Sequence, residues 1–497
     1  MNATSQVRPH VVTAELHQLD RKLVHGIAWT SLAKWSSQLL TWLATMFVAR
    51  LLTPADYALV AMSALFMGLI TLLSEFGIGA TIIAKNDLSR TQIAQLNSVS
   101  ILAGTLCTVA GAAASLPISR FFSEPRLVWV VTAMSSAFLI SSFQVVPYSL
   151  LQKDLRFKLL GAIEAVRALA AAIAAVVLAM TGFGYWSLVL PNLLSVFLGT
   201  GLVVWARPRG FAIPSDDCRK AVKLGNHILF ASLAWYVVSN ADFLVAGKLL
   251  GQAATGAYVL AWYIASAPVD KITAMVSRVG PAFFSAVQGE RDVLRRYLFG
   301  LSNALAFITF PASLGLALIA DDLVHVAFGP KWQAAIMPLR LLAFAASLRS
   351  ITPLLNSVLN VVDDARYAMW NCVLCAVVMP ICYVIGSRWG VAGIAVVWVA
   401  VFPITKWPMF KRVFQKLDTS GKAYVRLLWP IVGSCFFMSF AVMLFRVISP
   451  STVRPGLRLA SEVMIGLAAY AGAMLTAYRE HAREAYRLTK LSFANAE

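Results

Sequence analysis

The sequence predicts an all-α polytopic membrane protein with about fourteen transmembrane helices, and three observations support this. The chain of 497 residues is 59% hydrophobic and only 13% charged, with a mean hydropathy of +0.73, whereas soluble domains carry about 25% charged residues. Apolar runs of about 20 residues recur along the chain, and each can cross a hydrocarbon core of about 30 Å. The runs are continuous, which favours helices over the alternating strands of a barrel.

Charged or Pro- and Gly-rich breaks give the bounds of the spans, and the loops between them are short. Residues 1–26 are charged and lack the apolar core of a cleavable signal peptide, so the first apolar run is expected to be a span itself. The predicted spans are 27–51, 57–84, 97–118, 127–150, 159–181, 185–206, 225–250, 255–287, 298–320, 334–362, 367–386, 390–410, 425–447 and 457–478.

The distribution of basic residues predicts the orientation. Lys and Arg accumulate in short cytoplasmic loops of inner-membrane proteins. When the N-terminus is placed inside, the loops assigned to the cytoplasm hold most of the 42 Lys and Arg residues. We therefore expect both termini in the cytoplasm and an even number of spans. The net charge of +19 reflects this orientation, and we expect no nucleic-acid partner.

An internal repeat predicts two lobes. The segment FVARLLTPADYALVAMSALF (Phe47–Phe66) resembles LVAGKLLGQAATGAYVLAWYI (Leu244–Ile264). Parallel repeats of this kind predict pseudo-symmetric lobes with a substrate path between them. The predicted segments are a cytoplasmic N-terminal segment (1–26), a six-helix N-lobe (27–206), a basic cytoplasmic linker (207–224), a six-helix C-lobe (225–410), a cytoplasmic loop with helices 13 and 14 (411–478) and a basic cytoplasmic tail (479–497).

One apolar span contains an unusual group of charges, Asp270, Lys271 and Arg278. A charge at the centre of a membrane helix costs about 2.5–3.5 kcal/mol on insertion scales, so it needs a partner or water. The two bases are seven positions apart, which places them within about 20° of one helix face. The single acid cannot neutralise both bases. Pro268 and Pro281 are expected to kink this helix or to open its hydrogen bonding.

The further bases within predicted spans include Lys34, Arg340 and Arg349. The two arginines are nine residues apart and lie on opposite faces of one helix, so at most one can face a cavity squarely. With Lys271 and Arg278 they predict a cationic, water-filled cavity that attracts a phosphate group or a uronic acid. The alternative is a set of scattered structural ion pairs.

Other charged residues within the spans have local interpretations. Glu164 and Arg167 are three residues apart and are expected to form an ion pair. Lys406 lies near the inner end of its span, from which its ammonium group is expected to reach the membrane surface.

The acids Glu75, Asp242 and Asp270 are candidates for carrying protons or sodium ions, or for balancing the bases. Glu75 could pair with Lys34 on the neighbouring helix. Asp242 lies near the outer end of its span and could simply be interfacial.

Several segments together resemble the Wzx-type polysaccharide flippases of the multidrug/oligosaccharidyl-lipid/polysaccharide (MOP) exporter superfamily, in the branch that exports colanic acid and similar exopolysaccharides. The resemblance extends from about residue 25 to 420. The matching segments are GIAWTSLAKW (26–35), SEFGIGATII (74–83), LLQKDLRFK (150–158), PVDKITAMVSRVGPAF (268–283), FPASLGL (310–316), FGPKW (328–332) and PLRLLAF…LR (338–349).

The resemblance implies two six-helix lobes plus a terminal helix pair, and a location in the bacterial inner membrane. It implies a flippase that moves an undecaprenyl-pyrophosphate-linked oligosaccharide to the periplasmic leaflet by alternating access, for exopolysaccharide or lipopolysaccharide biosynthesis. The partners would be this lipid-linked oligosaccharide, membrane lipids and the polysaccharide polymerase or export machinery. A positively charged lumen is also a family feature.

Two other functions compete with this interpretation. A drug or cation antiporter of the same fold would favour acids over bases within its spans, which is the opposite of the pattern here. A membrane polysaccharide polymerase or glycosyltransferase would need a large outer loop, a soluble domain or a metal-binding acidic motif. The Asp pairs Asp216-Asp217, Asp321-Asp322 and Asp363-Asp364 all lie in predicted short loops, where lone Asp pairs are weak signals and more often solvated turns. The sequence contains no G-x-x-x-x-G-K-[S/T] phosphate loop. We therefore expect no enzymatic activity, no cofactor and no metal site.

Overall fold

The computed structural model describes residues 41–74, 78–84, 88–208, 210–213, 226–449 and 454–476, and within them all regular structure is helical. Two short 3-10 helices, Pro330–Ala335 and Ser387–Trp389, join longer elements. The α-helices are α1 (Thr41–Leu51), α2 (Pro54–Ser74), α3 (Ile78–Ala84), α4 (Arg90–Phe122), α5 (Leu127–Lys153), α6 (Phe157–Met180), α7 (Trp186–Ala206), α8 (Asn226–Leu249), α9 (Gln252–Ala286), α10 (Arg291–Ala327), α11 (Ile336–Val361), α12 (Ala365–Gly386), α13 (Gly390–Lys416), α14 (Gly421–Ile448) and α15 (Pro455–Thr476).

The all-α membrane fold is confirmed. In the described part of the chain, nine helical stretches are long and apolar enough to cross a membrane, and one of them comprises both α12 and α13. The second predicted span coincides with two helices, α2 and α3. The number of fourteen membrane crossings stays a prediction.

Helix ends follow local sequence signals. Helix α4 begins with a capping box, in which the Gln92 N–H donates to Ser89 Oγ over 3.1 Å and the Ser89 N–H donates to Gln92 Oε1 over 2.9 Å. These two bonds satisfy backbone donors that a helix start leaves open. At the turn between α8 and α9, Gly251 has a φ of +79°, which glycine adopts without steric cost.

Small residues let α4 and α5 pack closely. A Cβ on Gly104 would lie 2.4 Å from Ser142 Cβ, and one on Gly111 would lie 2.3 Å from Ser135 Oγ. The Thr108 hydroxyl donates to the Ser135 carbonyl oxygen over 3.0 Å. Small residues are typical of helix contacts in membranes, where close van der Waals packing replaces the hydrophobic driving force.

The chain forms two compact units, and the division runs through α2. The first unit contains α1, α2 from Phe66 and α3–α7, and the second contains Thr53–Leu65 and the chain from Phe230 through α15. Within the second unit, Tyr57 packs edge-on against Trp332 with ring centroids 5.2 Å apart. The lobe boundaries drawn from the repeat stay a prediction.

The last two helices are attached to α10 by a buried network of four charges. Arg446 on α14 donates to both carboxylate oxygens of Glu462 on α15, over 2.7 and 2.9 Å, and to Asp322 on α10 over 3.0 Å. Arg458 lies 3.5 Å from Glu462, which is fully buried. The prediction that Asp322 lies in a loop is wrong, because α10 continues to Ala327.

The kink or opened hydrogen bonding expected at the two prolines of α9 stays a prediction. The helix is continuous from Gln252 to Ala286 and passes through Pro268 and Pro281. Each proline still removes one backbone donor from the helix.

Candidate functional site

A stripe of hydrogen-bonding side chains runs along one side of α9. It consists of Tyr258, Trp262, Ser266 and Asp270, which follow one another at four-residue intervals. Residues four apart on a helix lie above one another on the same face. Residues of α8, α11 and α13 contact this stripe or its neighbours, and all of these helices lie within the second unit.

Arg349 on α11 lies against this stripe. Its guanidinium carbon is 4.2 Å from the ring centroid of Trp262 and 5.3 Å from that of Trp398 on α13. Its polar contacts are long, at 3.3 Å to Ser266 Oγ and 3.4 Å to Asp270 Oδ1. Two aromatic faces therefore hold the cation, while its five N–H donors are bonded only weakly.

Asp242 on α8 is completely buried beside the same aromatic residues. Its Oδ2 accepts hydrogen bonds from the Tyr258 hydroxyl over 2.7 Å and from the Trp398 Nε1–H over 3.0 Å. Its Oδ1 accepts one from the Phe243 backbone N–H over 2.9 Å. Three donors satisfy most of the needs of a buried carboxylate. The depth of Asp242 in the membrane stays a prediction.

Trp398 connects the two charged groups. Its indole N–H donates to Asp242, and its ring faces the guanidinium of Arg349. Its ring centroid is also 5.0 Å from that of Trp262. A change in the charge or hydration of Asp242 would therefore act on the ring that holds Arg349.

Lys271 follows Asp270 on α9, and its side chain is exposed. The Asp270 carboxylate lies 3.4 Å from the Arg349 guanidinium, so the negative charge of Asp270 acts mainly on Arg349. In the part of the chain that the structure describes, Lys271 has no carboxylate within ion-pair distance. Arg278 lies within α9, but its side chain is outside the described part of the structure. Arg349 therefore has a carboxylate partner, and Lys271 has none among the described residues.

A family model described as "Polysaccharide biosynthesis protein" matches residues 47–337, which is more than half of the chain. The chain belongs to this family. The matched region includes Asp242 and the α9 stripe and ends before Arg349 and Trp398. The family match and the helical membrane fold agree with each other.

Relatives and a solved structure agree with the family assignment. The lipopolysaccharide biosynthesis protein WzxC of Escherichia coli (strain K12) is 26% identical over 83% of this chain and 85% of its own. The teichuronic acid biosynthesis protein TuaB of Bacillus subtilis (strain 168) is 26% identical over 71% and 74%. The lipid II flippase MurJ, in an inward closed conformation, has the same fold, with a TM-score of 0.75 at 14% identity, over 91% of this chain and 99% of its own. These matches confirm the resemblance seen in the sequence.

In this member of the polysaccharide biosynthesis family, the remaining predicted bases lie in different surroundings. Arg340 lies half a turn away from Arg349 on α11 and so faces away from the α9 stripe. Arg167 forms the expected ion pair with Glu164 at 3.4 Å and also contacts Ser195 over 3.3 Å. Lys34 and Glu75 lie outside the described residues.

The interpretation of Lys406 is corrected. Its side chain does not reach the membrane surface, because the residue is only 3% exposed. Its ammonium group instead donates to Asn371 Oδ1 on α12 over 3.0 Å. The Asn371 amide in turn donates to the Thr405 carbonyl oxygen over 2.8 Å. This lysine therefore links α12 to α13 within the protein.

The aromatic part of the site was not predicted from the sequence. Tyr258, Trp262 and Trp398 were not singled out, because aromatic residues in apolar helices are usually core or interfacial. The four-residue spacing from Tyr258 to Asp270 was a usable signal. Nothing local to Trp398 indicates its contact with Asp242, 156 residues away.

Proposed function

We propose that this protein is a flippase that translocates undecaprenyl-pyrophosphate-linked oligosaccharide repeat units across the bacterial inner membrane by alternating access, for exopolysaccharide or lipopolysaccharide biosynthesis. Its family membership supports a role in polysaccharide biosynthesis. The names of two relatives refer to the biosynthesis of lipopolysaccharide and of teichuronic acid. The fold shared with MurJ fits a flippase of lipid-linked sugars.

The observation that carries this proposal is the way Arg349 is held. An arginine kept only as a structural partner is expected to form short, bidentate bonds to carboxylates. Arg349 instead lies over Trp262, and its shortest polar contact among the described residues is 3.3 Å. It therefore keeps donors that can rotate towards a phosphate oxygen, and guanidinium groups match phosphate geometry well.

Lys271 adds the second cation to this surface. Because the Asp270 carboxylate lies near Arg349 and Asp242 is held by three other donors, the Lys271 ammonium group is left available to an anion. We assign the pyrophosphate of the passenger to Lys271 and Arg349, with Arg278 on the same helix as a further candidate. Arg340 is not part of this assignment, because it lies on the opposite face of α11.

The proposed activity moves the passenger without changing its covalent structure, so we assign no catalytic residue. Asp242 and Asp270 are the described acids that could couple movement to an ion or a proton. We further propose that both termini lie in the cytoplasm and that the polysaccharide polymerase and export machinery act after this protein.

A proteoliposome assay tests the proposal. The full-length protein is reconstituted with a fluorescent undecaprenyl-pyrophosphate oligosaccharide, and the fraction of dye that an impermeant reductant can reach is followed over time. We expect wild type to equilibrate the two leaflets and Lys271→Glu to slow this by about tenfold or more, since hydrogen bonds to charged groups contribute about 1.5–3 kcal/mol.

Lys158→Glu is the matched control, because Lys158 is an exposed lysine on α6 in the first unit. It should leave the rate unchanged. Equal rates for wild type and Lys271→Glu, at equal amounts of monodisperse protein, would remove Lys271 from the proposed site. If wild-type protein moves no labelled oligosaccharide, the flippase proposal itself fails.

A further inference from the structure

The second unit contains an apolar groove that the proposed site does not use. It has a volume of about 410 Å³ and lies between α11, α12 and α13. Met337, Ile385, Trp389 and Val396 line it and are each about half exposed or more. None of its lining residues is charged. Its volume is within the range of about 300–1,000 Å³ that is typical of ligand sites.

Small residues create the floor of this groove. A Cβ on Gly393 would lie 2.0 Å from the carbonyl oxygen of Gly386, so α12 and α13 touch backbone to backbone at this point. Ala392 and Ala400 continue the floor along α13. The larger side chains stand on either side and leave a channel between them.

The length of the groove corresponds to one leaflet. It runs along α13 from Trp389 to Val401, and twelve residues of helix span about 18 Å. One leaflet contributes about half of a hydrocarbon core that is about 30 Å thick. The groove begins where α12 meets α13, which is the end that the charge distribution predicts to be periplasmic.

Two arginines lie at this end of the groove. Arg388 directly precedes Trp389, and Arg340 lies between Met337 and Leu341, two lining residues on α11. Neither arginine has an ion-pair partner among the residues that the structure describes. A helical side chain leans towards the N-terminus of its helix, which directs Arg340 towards the mouth of the groove.

We propose that the groove binds one acyl chain of an anionic phospholipid, with the phosphate held by Arg340 and Arg388. The apolar walls fit hydrocarbon, the length fits one leaflet, and the unpaired guanidinium groups fit a phosphate at headgroup depth. Trp389 at the mouth has the amphipathic indole that is typical of membrane interfaces. This site is separate from Arg349 and does not depend on the proposed transport.

Photo-crosslinking locates the lipid. The full-length protein is reconstituted with phosphatidylglycerol that carries a photoreactive group on one acyl chain, and labelled peptides are identified by mass spectrometry. We expect labelling in α11–α13 that Ala400→Trp reduces by about tenfold, because the indole fills the floor where methylene groups would be buried. Ala400 is exposed, so the added ring does not disturb the core.

Ala110→Trp on α4 is the matched control, and it should leave labelling of α11–α13 unchanged, since Ala110 is also exposed in a membrane helix. Replacing both Arg340 and Arg388 by Gln should lower the preference for phosphatidylglycerol over phosphatidylcholine by about tenfold. Arg120→Gln should not change it.

Two outcomes would overturn the proposal. One is labelling of α11–α13 that Ala400→Trp leaves intact. The other is labelling that unlabelled polyprenyl phosphate displaces and unlabelled phosphatidylglycerol does not, because the occupant would then be the isoprenoid carrier.

Discussion

Arg446 and Arg349 both lie largely buried in the second unit, but their surroundings differ. Arg446 forms three hydrogen bonds of 2.7 to 3.0 Å with Glu462 and Asp322. Arg349 lies on the rings of Trp262 and Trp398, and its shortest polar contact among the described residues is 3.3 Å. One guanidinium is saturated by carboxylates, and the other is supported by aromatic faces.

This difference distinguishes an arginine that stabilises helix packing, Arg446, from one that can bind a ligand, Arg349. In the network around Arg446, two acids and two bases balance each other and join α10, α14 and α15, so that little capacity is left for a ligand. At Arg349 the ring faces offset part of the cost of burial without occupying the N–H donors. The adjacent Lys271 is exposed and has no carboxylate within ion-pair distance among the described residues, so it adds a second donor for an anion.

Glu462→Gln should produce the largest loss of stability. Removing one partner of a buried ion pair costs about 3–5 kcal/mol, because the remaining charge is left uncompensated. Arg446 would keep Asp322 as a partner, so we expect the lower end of this range. Thermal unfolding of the purified protein in detergent, followed by circular dichroism, measures the effect.

The control for this prediction is Asp292→Asn, which removes an exposed acid paired with Arg295 at 2.9 Å. Surface pairs of this kind contribute up to about 1 kcal/mol. If the two variants unfold at the same temperature, the buried network does not stabilise the terminal helix pair.

Arg349→Gln should have a smaller effect on stability and a larger effect on transport. Loss of a desolvated cation–π contact costs about 2 kcal/mol, whereas transport should fall by about tenfold or more if the guanidinium binds the passenger. Arg349→Lys keeps the charge but loses the planar fork, so we expect intermediate transport. Both properties are measured on the same reconstituted samples.

The comparison between the two arginines would fail if Arg349→Gln lowered stability as much as Glu462→Gln while the folded fraction transported normally. Arg349 would then be a structural residue like Arg446.

Sequence patterns predicted the helices well because each membrane helix is encoded by its own apolar run. They failed at the end of α10, where Asp321 and Asp322 suggested a loop. That helix continues because Arg446 and Arg458, more than a hundred residues later, neutralise part of its charge. The sequence around Asp322 does not indicate these distant partners.

The candidate site was predicted only in part for the same reason. Helical spacing placed Arg340 and Arg349 on opposite faces of α11 but could not show which of them faces Trp262. The contact between Asp242 and Trp398 joins helices that are far apart in sequence. It becomes visible only when α8, α9 and α13 are packed together.

The smallest effect is expected at a partly exposed ion pair, that of Asp364 and Arg412. Asp364 precedes α12, and Arg412 Nε donates to its Oδ2 over 2.6 Å. This hydrogen bond from the Arg412 guanidinium holds the pKa of Asp364 below its usual range. A depressed carboxyl pKa stabilises the folded state above the unfolded value of about 3.9, and the contribution is lost as the pH falls through the lower folded value.

Wild type should therefore lose slightly more thermal stability than Asp364→Asn when the pH is lowered from 5 to about 3, a window set by the unfolded pKa. Arg412→Gln should reduce the same difference, because the main donor that depresses the pKa of Asp364 is then absent, while Lys416 stays 3.6 Å from the carboxylate. Unfolding temperatures measured across this window check the prediction, and parallel curves for all three proteins would contradict it. Unlike Glu462, Asp364 pairs with an arginine that is 39% exposed, so water and salt screen the attraction and keep its contribution small.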